Sequence, residues 1–264
     1  MLGLEWRQWR STAWLSASAH VGDSRLFVFD YAIRALRVAI LISIWIMLVG
    51  VDPDASPLPL SALLTYTVVA EAFAHAIHLQ TGLAQAFWDG SLVHSFLRPA
   101  GVVRQFAAES SGRAAFDFLL FSLPLLLGAA CFGIRVLPTS FASALLFGAS
   151  LVLSVAVGLA IEFIAGAIAM TSEQPIWLIE NVRRTLSRSL SGAVLPLAIL
   201  PFGLGDAFAW LPFAATAWAP LAIYTGMEDA TRLIALQFAW AIVLWPLALG
   251  LWHWNREKVV AYGG

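Results

Sequence analysis

Five stretches of this sequence run for about twenty residues or more with almost no charge: Tyr31 to Val51, Leu60 to Gln80, Ala114 to Ile134, Ser140 to Met170, and Thr231 to Trp252. A helix rises about 1.5 Å per residue, so roughly 20 apolar residues cross a hydrocarbon core about 30 Å thick. Inside lipid every backbone N–H and C=O must find its partner within the protein, which makes helices the form such runs take. The chain therefore reads as an all-α integral membrane protein. Its composition agrees, because only 12% of its 264 residues are charged while 60% are hydrophobic, and the mean hydropathy is +0.82. A soluble domain of this size needs far more charge on its surface. The net charge of −1 supplies no field that would hold nucleic acid.

A sixth apolar region, Thr185 to Gly226, is interrupted by Pro196, Pro201, Pro212 and Pro220 and by Gly203 and Gly205, so one straight helix is excluded. The positive charges decide how often it crosses. With a single crossing, from about Thr185 to Pro201, one face of the membrane receives Arg7, Arg10, Arg25, Arg34, Arg37, Arg98, Arg104, Arg113, Arg183, Arg184, Arg188, Arg256 and Lys258. The other face keeps only Arg135 and Arg232 of the 15 basic residues. Basic residues accumulate on the cytoplasmic side. Six transmembrane helices with both termini cytoplasmic follow. Residues 202–226 then begin and end outside, as a re-entrant pair of short helices between spans five and six, and the acidic Asp52, Asp54, Glu228 and Asp229 fall on that outer side.

Residues 1–30 read as a separate cytoplasmic helix in the headgroup layer, because Leu2, Trp6, Trp9 and Ala13 recur at helical spacing while Arg7 and Arg10 lie elsewhere on the wheel. Ala17-Ser18-Ala19 resembles a secretory cleavage site, but the stretch before it is too short and too polar for a signal peptide, and the segment is expected to be retained. A lone cysteine, Cys131, excludes an internal disulfide and reads as a small apolar residue.

Candidate chemistry is sparse. The one lysine, Lys258, lies beside the C-terminus and outside any GxxxxGK[ST] loop, so an ATP site of that kind is not expected in this chain. Neither a GxSxG elbow nor an HExxH motif occurs, and no catalytic, cofactor or metal residue is assigned. Glu71 falls about eleven residues into the second run, roughly 16 Å deep. A charge there costs about 2.5–3.5 kcal/mol unless protein or water receives it. Thr67, Glu71, His75 and His78 share one helical face, open to a proton relay, a weak metal site, or an ordinary hydrogen-bonded helix contact. Ser154, Gly158 and Gly166 surround Glu162 at four-residue spacing, a seam that lets backbones approach. Thr67, Glu71, His75, Glu162, Ser191 and Gly192 are the candidate lining of a translocation path. An ion-coupled transporter or channel using Glu71, His75 and His78 is the rival reading.

Two longer motifs narrow the field. The loop after the second run reads Phe87-Trp88-Asp89-Gly90-Ser91-Leu92-Val93-His94-Ser95-Phe96-Leu97-Arg98-Pro99, and the later stretch Leu190-Ser191-Gly192-Ala193-Val194-Leu195-Pro196 leads to Pro201, Leu211-Pro212-Phe213, Pro220 and Tyr224-Thr225-Gly226. Both resemble the ABC-2 type permeases, the membrane-spanning subunits of ABC transporters that include antibiotic-resistance exporters. The resemblance covers the whole chain as a single permease domain, 1–264. It implies an exporter subunit in the inner membrane of a bacterium. There it would pair with a second permease, identical or paralogous, and with cytosolic ATPase subunits that carry the ATP and Mg. Residues 81–113 become the cytoplasmic coupling loop, with Trp88, Gly90, Ser91, Leu92, Phe96, Leu97, Arg98 and Pro99 as the residues facing the ATPase. The Asp89-Gly90 turn and the Arg98-Pro99 stop bracket a short helix from Ser91 to Leu97, whose Leu92, Phe96 and Leu97 would fill a partner groove.

Overall fold

The computed structural model describes residues 11–12, 14–15, 24–52, 56–78, 80–92, 94, 101–138, 140–172 and 175–262, and within them the chain is helical without strands. Among the described residues four helices are long and apolar enough to cross a membrane, over Tyr31–Val51, Val102–Cys131, Phe141–Thr171 and Ala230–Asn255. The first belongs to α1 (Ser24–Val51), so residues 24–30 continue a long helix instead of forming part of a separate surface element. Residues 1–10, 13 and 16–23 of that expected element lie outside the described residues.

The second run does not form one helix. It gives α2 (Leu60–Ala72) and a single turn, α3 (Ala74–Ile77), separated by Phe73 at φ −102° and ψ 14°. No proline or glycine causes the break. The Ala76 N–H bonds to the Phe73 carbonyl, and the carbonyl of Ala72 accepts the Ser122 hydroxyl instead. A side chain that takes over a carbonyl of the i→i−4 ladder bends a helix in this way.

The loop expected over residues 81–113 is also largely helical. It contains α4 (Leu83–Trp88), and α5 (Val102–Asp117) then runs through a π turn (Phe118–Ser122) into α6 (Leu123–Cys131). The π turn is what presents Ser122 to Ala72, and across the same contact the rings of Phe73 and Phe118 stack 5.3 Å apart. Next comes α7 (Phe141–Thr171), its 31 residues amounting to about 46 Å, whose first turn is capped by Ser140 accepting the Ser143 N–H at 3.0 Å.

Where a fifth helical crossing was expected, over 185–201, there is none of span length. Residues 185–190 are the last turns of α8 (Ile176–Leu190), a strongly amphipathic helix carrying Glu180, Arg183, Arg184 and Arg188 with no buried residue. That charge belongs at an interface, not in hydrocarbon. Gly192 at φ +78° and Pro196 then end helical geometry. The irregular chain that follows is covered by protein: the Tyr66 hydroxyl donates to the Gly192 carbonyl at 2.6 Å and the Trp218 N–H to the Ser191 carbonyl at 2.9 Å. A 3₁₀ turn (Leu197–Ile199) and two short helices, α9 (Leu204–Ala209) and α10 (Trp218–Thr225), complete this region, and Gly226 at φ +70° closes α10. From Trp218 to Tyr224 every residue of α10 is buried.

The last helix, α11 (Ala230–Tyr262), packs along α7. Gln237 fastens the two, donating to the carbonyls of Ser150 (3.0 Å) and Ala215 (2.8 Å) while accepting the Ser150 hydroxyl (2.8 Å). Asn255 donates to the Ala167 carbonyl at 2.8 Å. The two largest apolar clusters among the described residues lie around Tyr66, Phe147, Trp218 and Tyr224 and around Leu83, Phe106, Phe163 and Trp252. The polar groups discussed next lie between α1, the α2–α3 break, α5 and α8.

Candidate functional site

The face drawn through Thr67, Glu71, His75 and His78 is divided by the break at Phe73. Thr67 turns inward, accepting the Trp45 indole N–H at 2.9 Å and donating to the Leu63 carbonyl. Glu71 pairs with Arg37 of α1 at 3.2 Å. His75 is wedged between Asp117 and Arg34. Its Nδ1 lies 2.9 Å from Asp117 Oδ2, Arg34 Nη2 lies 3.0 Å from Nδ1 and 3.2 Å from Nε2, and Arg34 reaches Asp117 at 3.1 Å. The Arg34 guanidinium also lies 4.4 Å from the centre of the Phe121 ring. Because Asp117 and Arg34 are each about one-tenth exposed, each offsets the cost of burying the other.

These pairs form one wall of a cavity of about 540 Å³ that Gln80, Arg113 and Arg188 also line. Of the expected path residues, Glu71 and His75 reach it. Ser191 and Gly192 do not, being packed in the Tyr66–Trp218 cluster, where the nearest atom to a Cβ at 192 would be Leu197 Cγ at 2.9 Å. Among the described residues no group of three His, Cys, Asp or Glu is placed to hold a metal ion.

Glu162 belongs to a second centre. It accepts the N–H of Thr81 at 3.0 Å and its hydroxyl at 2.9 Å, and Arg183 of α8 stands 2.9 Å away as an ion pair. Arg113 of α5 donates to the carbonyls of Gln80 and Thr81, both at 3.1 Å. The short link between α3 and α4 is thus gripped by an acid on one side and a base on the other. Behind it Glu180 joins Arg183 and Arg184 at 2.5 and 2.7 Å; burial pushes its carboxyl upward, but those two guanidiniums outweigh burial and hold it below the usual carboxylate range.

Helix α4 leaves from this grip. Leu83 lies buried against the backbone of α7, its Cδ2 2.6 Å from where a Cβ on Gly166 would stand. At the far end Trp88 is 69% exposed. Asp89 accepts the Ser91 N–H at 2.9 Å, the Ser91 side chain and then this backbone bond lower its carboxyl, and Gly90 at φ +73° completes the expected turn. Leu92, expected to face a partner, is instead 2% exposed and packs with Leu83 and Phe106. An apolar side chain next to a ready core fills it first. Phe96, Leu97, Arg98 and Pro99 lie outside the described residues.

The family model described as an ABC-2 family transporter protein matches residues 60–262. The chain belongs to the ABC-2 transporter family. No curated protein and no solved structure matches it. As an ABC-2 permease it is a multi-pass membrane component of an ABC transporter, of a kind that works with ATPase subunits and has no ATPase site of its own. The sequence missed the partners of its buried acids. Arg34 and Arg37 were counted as loop charges although they lie within the apolar run of α1, where an ionisable residue calls for a partner.

Proposed function

We propose that this permease is the membrane-spanning subunit of an ATP-driven exporter of the bacterial inner membrane, working with a second permease, identical or paralogous, and with cytosolic ATPases that bind ATP and Mg. In this reading both termini are cytoplasmic. Residues 60–80 and the irregular chain after α8, 191–201, cross as broken segments, which brings the crossings to six, and residues 202–226 dip in from outside. The distribution of arginines supports that topology. The segment 81–99 is the ATPase contact, with Trp88 its exposed anchor.

The observation that carries the coupling role is the grip on Thr81. A push on α4 reaches Glu162 on α7 and Arg183 on α8 through three polar contacts of 3.0 Å or less. The tagged chain, co-expressed with an ATPase bearing its own GxxxxGK[ST] loop and placed in proteoliposomes, should retain that subunit and show vanadate-sensitive hydrolysis. Trp88→Ala should release the ATPase. Thr81→Val should keep it bound while hydrolysis loses its dependence on the permease several-fold. Flux driven by a pH gradient in vesicles without ATPase would overturn the reading.

A further inference from the structure

The cavity between α1, the α2–α3 break, α5 and α8 is lined by four arginines, Arg34, Arg37, Arg113 and Arg188, against two carboxylates, Glu71 and Asp117. Both carboxylates are taken, by Arg37 and by Arg34 with His75. Arg113 spends its hydrogen bonds on the neutral acceptors of Gln80, Thr81 and Ser110, and no carboxylate among the described residues lies within ion-pairing distance of it. Among the described residues no carboxylate lies within ion-pairing distance of Arg188. Among the described residues the wall thus carries two guanidinium charges in excess, beside the imidazole of His78.

Its place along α1 indicates what those charges meet. Arg34 and Arg37 follow Tyr31, the start of the apolar run, by about 5 and 9 Å, the depth at which headgroup gives way to acyl chain. Arg37 shares a helical stripe with Ile33, Ile40 and Ile44, which are 57%, 51% and 51% exposed. A cationic recess therefore continues sideways into an apolar face. Its volume of about 540 Å³ falls within the roughly 300–1,000 Å³ of small-molecule sites.

We infer that this cavity binds an anionic amphiphile entering from the inner leaflet, with its phosphate-bearing headgroup on Arg188 and Arg113 and its chain along Ile33, Ile40 and Ile44. The inference rests on the inner-side placement of α1 proposed above, but its test uses neither ATPase nor flux, so the two fail separately. Purified protein in neutral detergent is melted with short-chain phosphatidylglycerol, with phosphatidylcholine of the same chain length, or with inorganic phosphate. Phosphatidylglycerol should raise the melting temperature, phosphatidylcholine should not, and phosphate should act only at concentrations at least tenfold higher. Arg188→Gln should weaken the phosphatidylglycerol response at least tenfold, whereas Arg135→Gln, away from the cavity, should keep it. Equal responses to the two lipids, or a response unchanged in Arg188→Gln, would overturn the site. A phosphate response as strong as that of phosphatidylglycerol would show a free-anion site and overturn the amphiphile.

Discussion

The Ser122 hydroxyl donates to the carbonyl of Ala72, joining the one-residue excess of the π turn to the one-residue interruption of the second apolar helix. The hydroxyl satisfies the carbonyl that the break at Phe73 leaves open, and both residues are buried. Ser122→Ala removes the donor and leaves a carbonyl in an apolar site. Such hydrogen bonds contribute about 0.6 kcal/mol on average in membrane proteins and up to about 1.7. A loss near 1 kcal/mol is expected in a reversible detergent unfolding titration, with membrane insertion unchanged. Stability equal to the parent chain would show that the two irregularities are independent.

Arg34 and Asp117 are far apart in sequence and mutually dependent in space. Arg34→Ala leaves a carboxylate that is about one-tenth exposed with His75 alone, and breaking such a pair from one side costs on the order of 3 kcal/mol. The double variant Arg34→Ala, Asp117→Ala should lose clearly less than the sum of the single variants. A double-mutant cycle of unfolding free energies measures the difference, and strict additivity would refute the coupling.

Gly205 and Gly203 lie two residues apart and should respond differently to a methyl group. A Cβ at 205 would stand 2.1 Å from the Leu197 carbonyl oxygen, a backbone atom that cannot swing aside. At 203 there is open space, and only φ +71° opposes alanine, a penalty of roughly 1–2 kcal/mol. Gly205→Ala should abolish folded protein by size-exclusion profile, whereas Gly203→Ala should yield a folded but less stable chain. The reverse order would place the close contact wrongly.

The proposed topology puts the exposed positions Asp206 and Gly226 on one side of the membrane. Single cysteines at each, in a Cys131→Ala background, should both react with an impermeant maleimide added to intact cells lacking an outer barrier. Reaction of one of them only after lysis would add a crossing and move the C-terminus outside.

What could be read from the sequence was what depends on local composition. The run Tyr31 to Val51 lies within α1 and ends with it, and the overlong fourth run is α7 with little change. The break at Phe73 could not be seen, because its cause is a serine from another helix and nothing in Ala72-Phe73-Ala74 disfavours helix. Residues 185–201 lack the expected helix of span length for a related reason. Their apolar content suited a crossing, but the positive φ of Gly192 and the capture of its carbonyl by Tyr66 are tertiary facts. At the candidate site, Glu71, His75 and Glu162 stood out as charges in apolar surroundings, while their partners Arg37, Asp117 and Arg183 are assigned only by the way helices pack. Leu92 carried no sign of burial, since a leucine in a short apolar loop looks the same whether it meets a core or a partner.

Helix α4 is held at Leu83, against the bare backbone of Gly166, and is exposed at Trp88. Five residues of rise separate the two, about 7.5 Å. With its fulcrum at one tip, so short an arm turns a tilt of twenty degrees at Trp88 into a sideways throw of only about 2.6 Å by the same geometry. The side chains at the fulcrum itself barely translate; they rotate. The stroke delivered to α7 would therefore be torque about the Leu83 seat, and the leverage is fixed by a glycine that contributes no side chain at all.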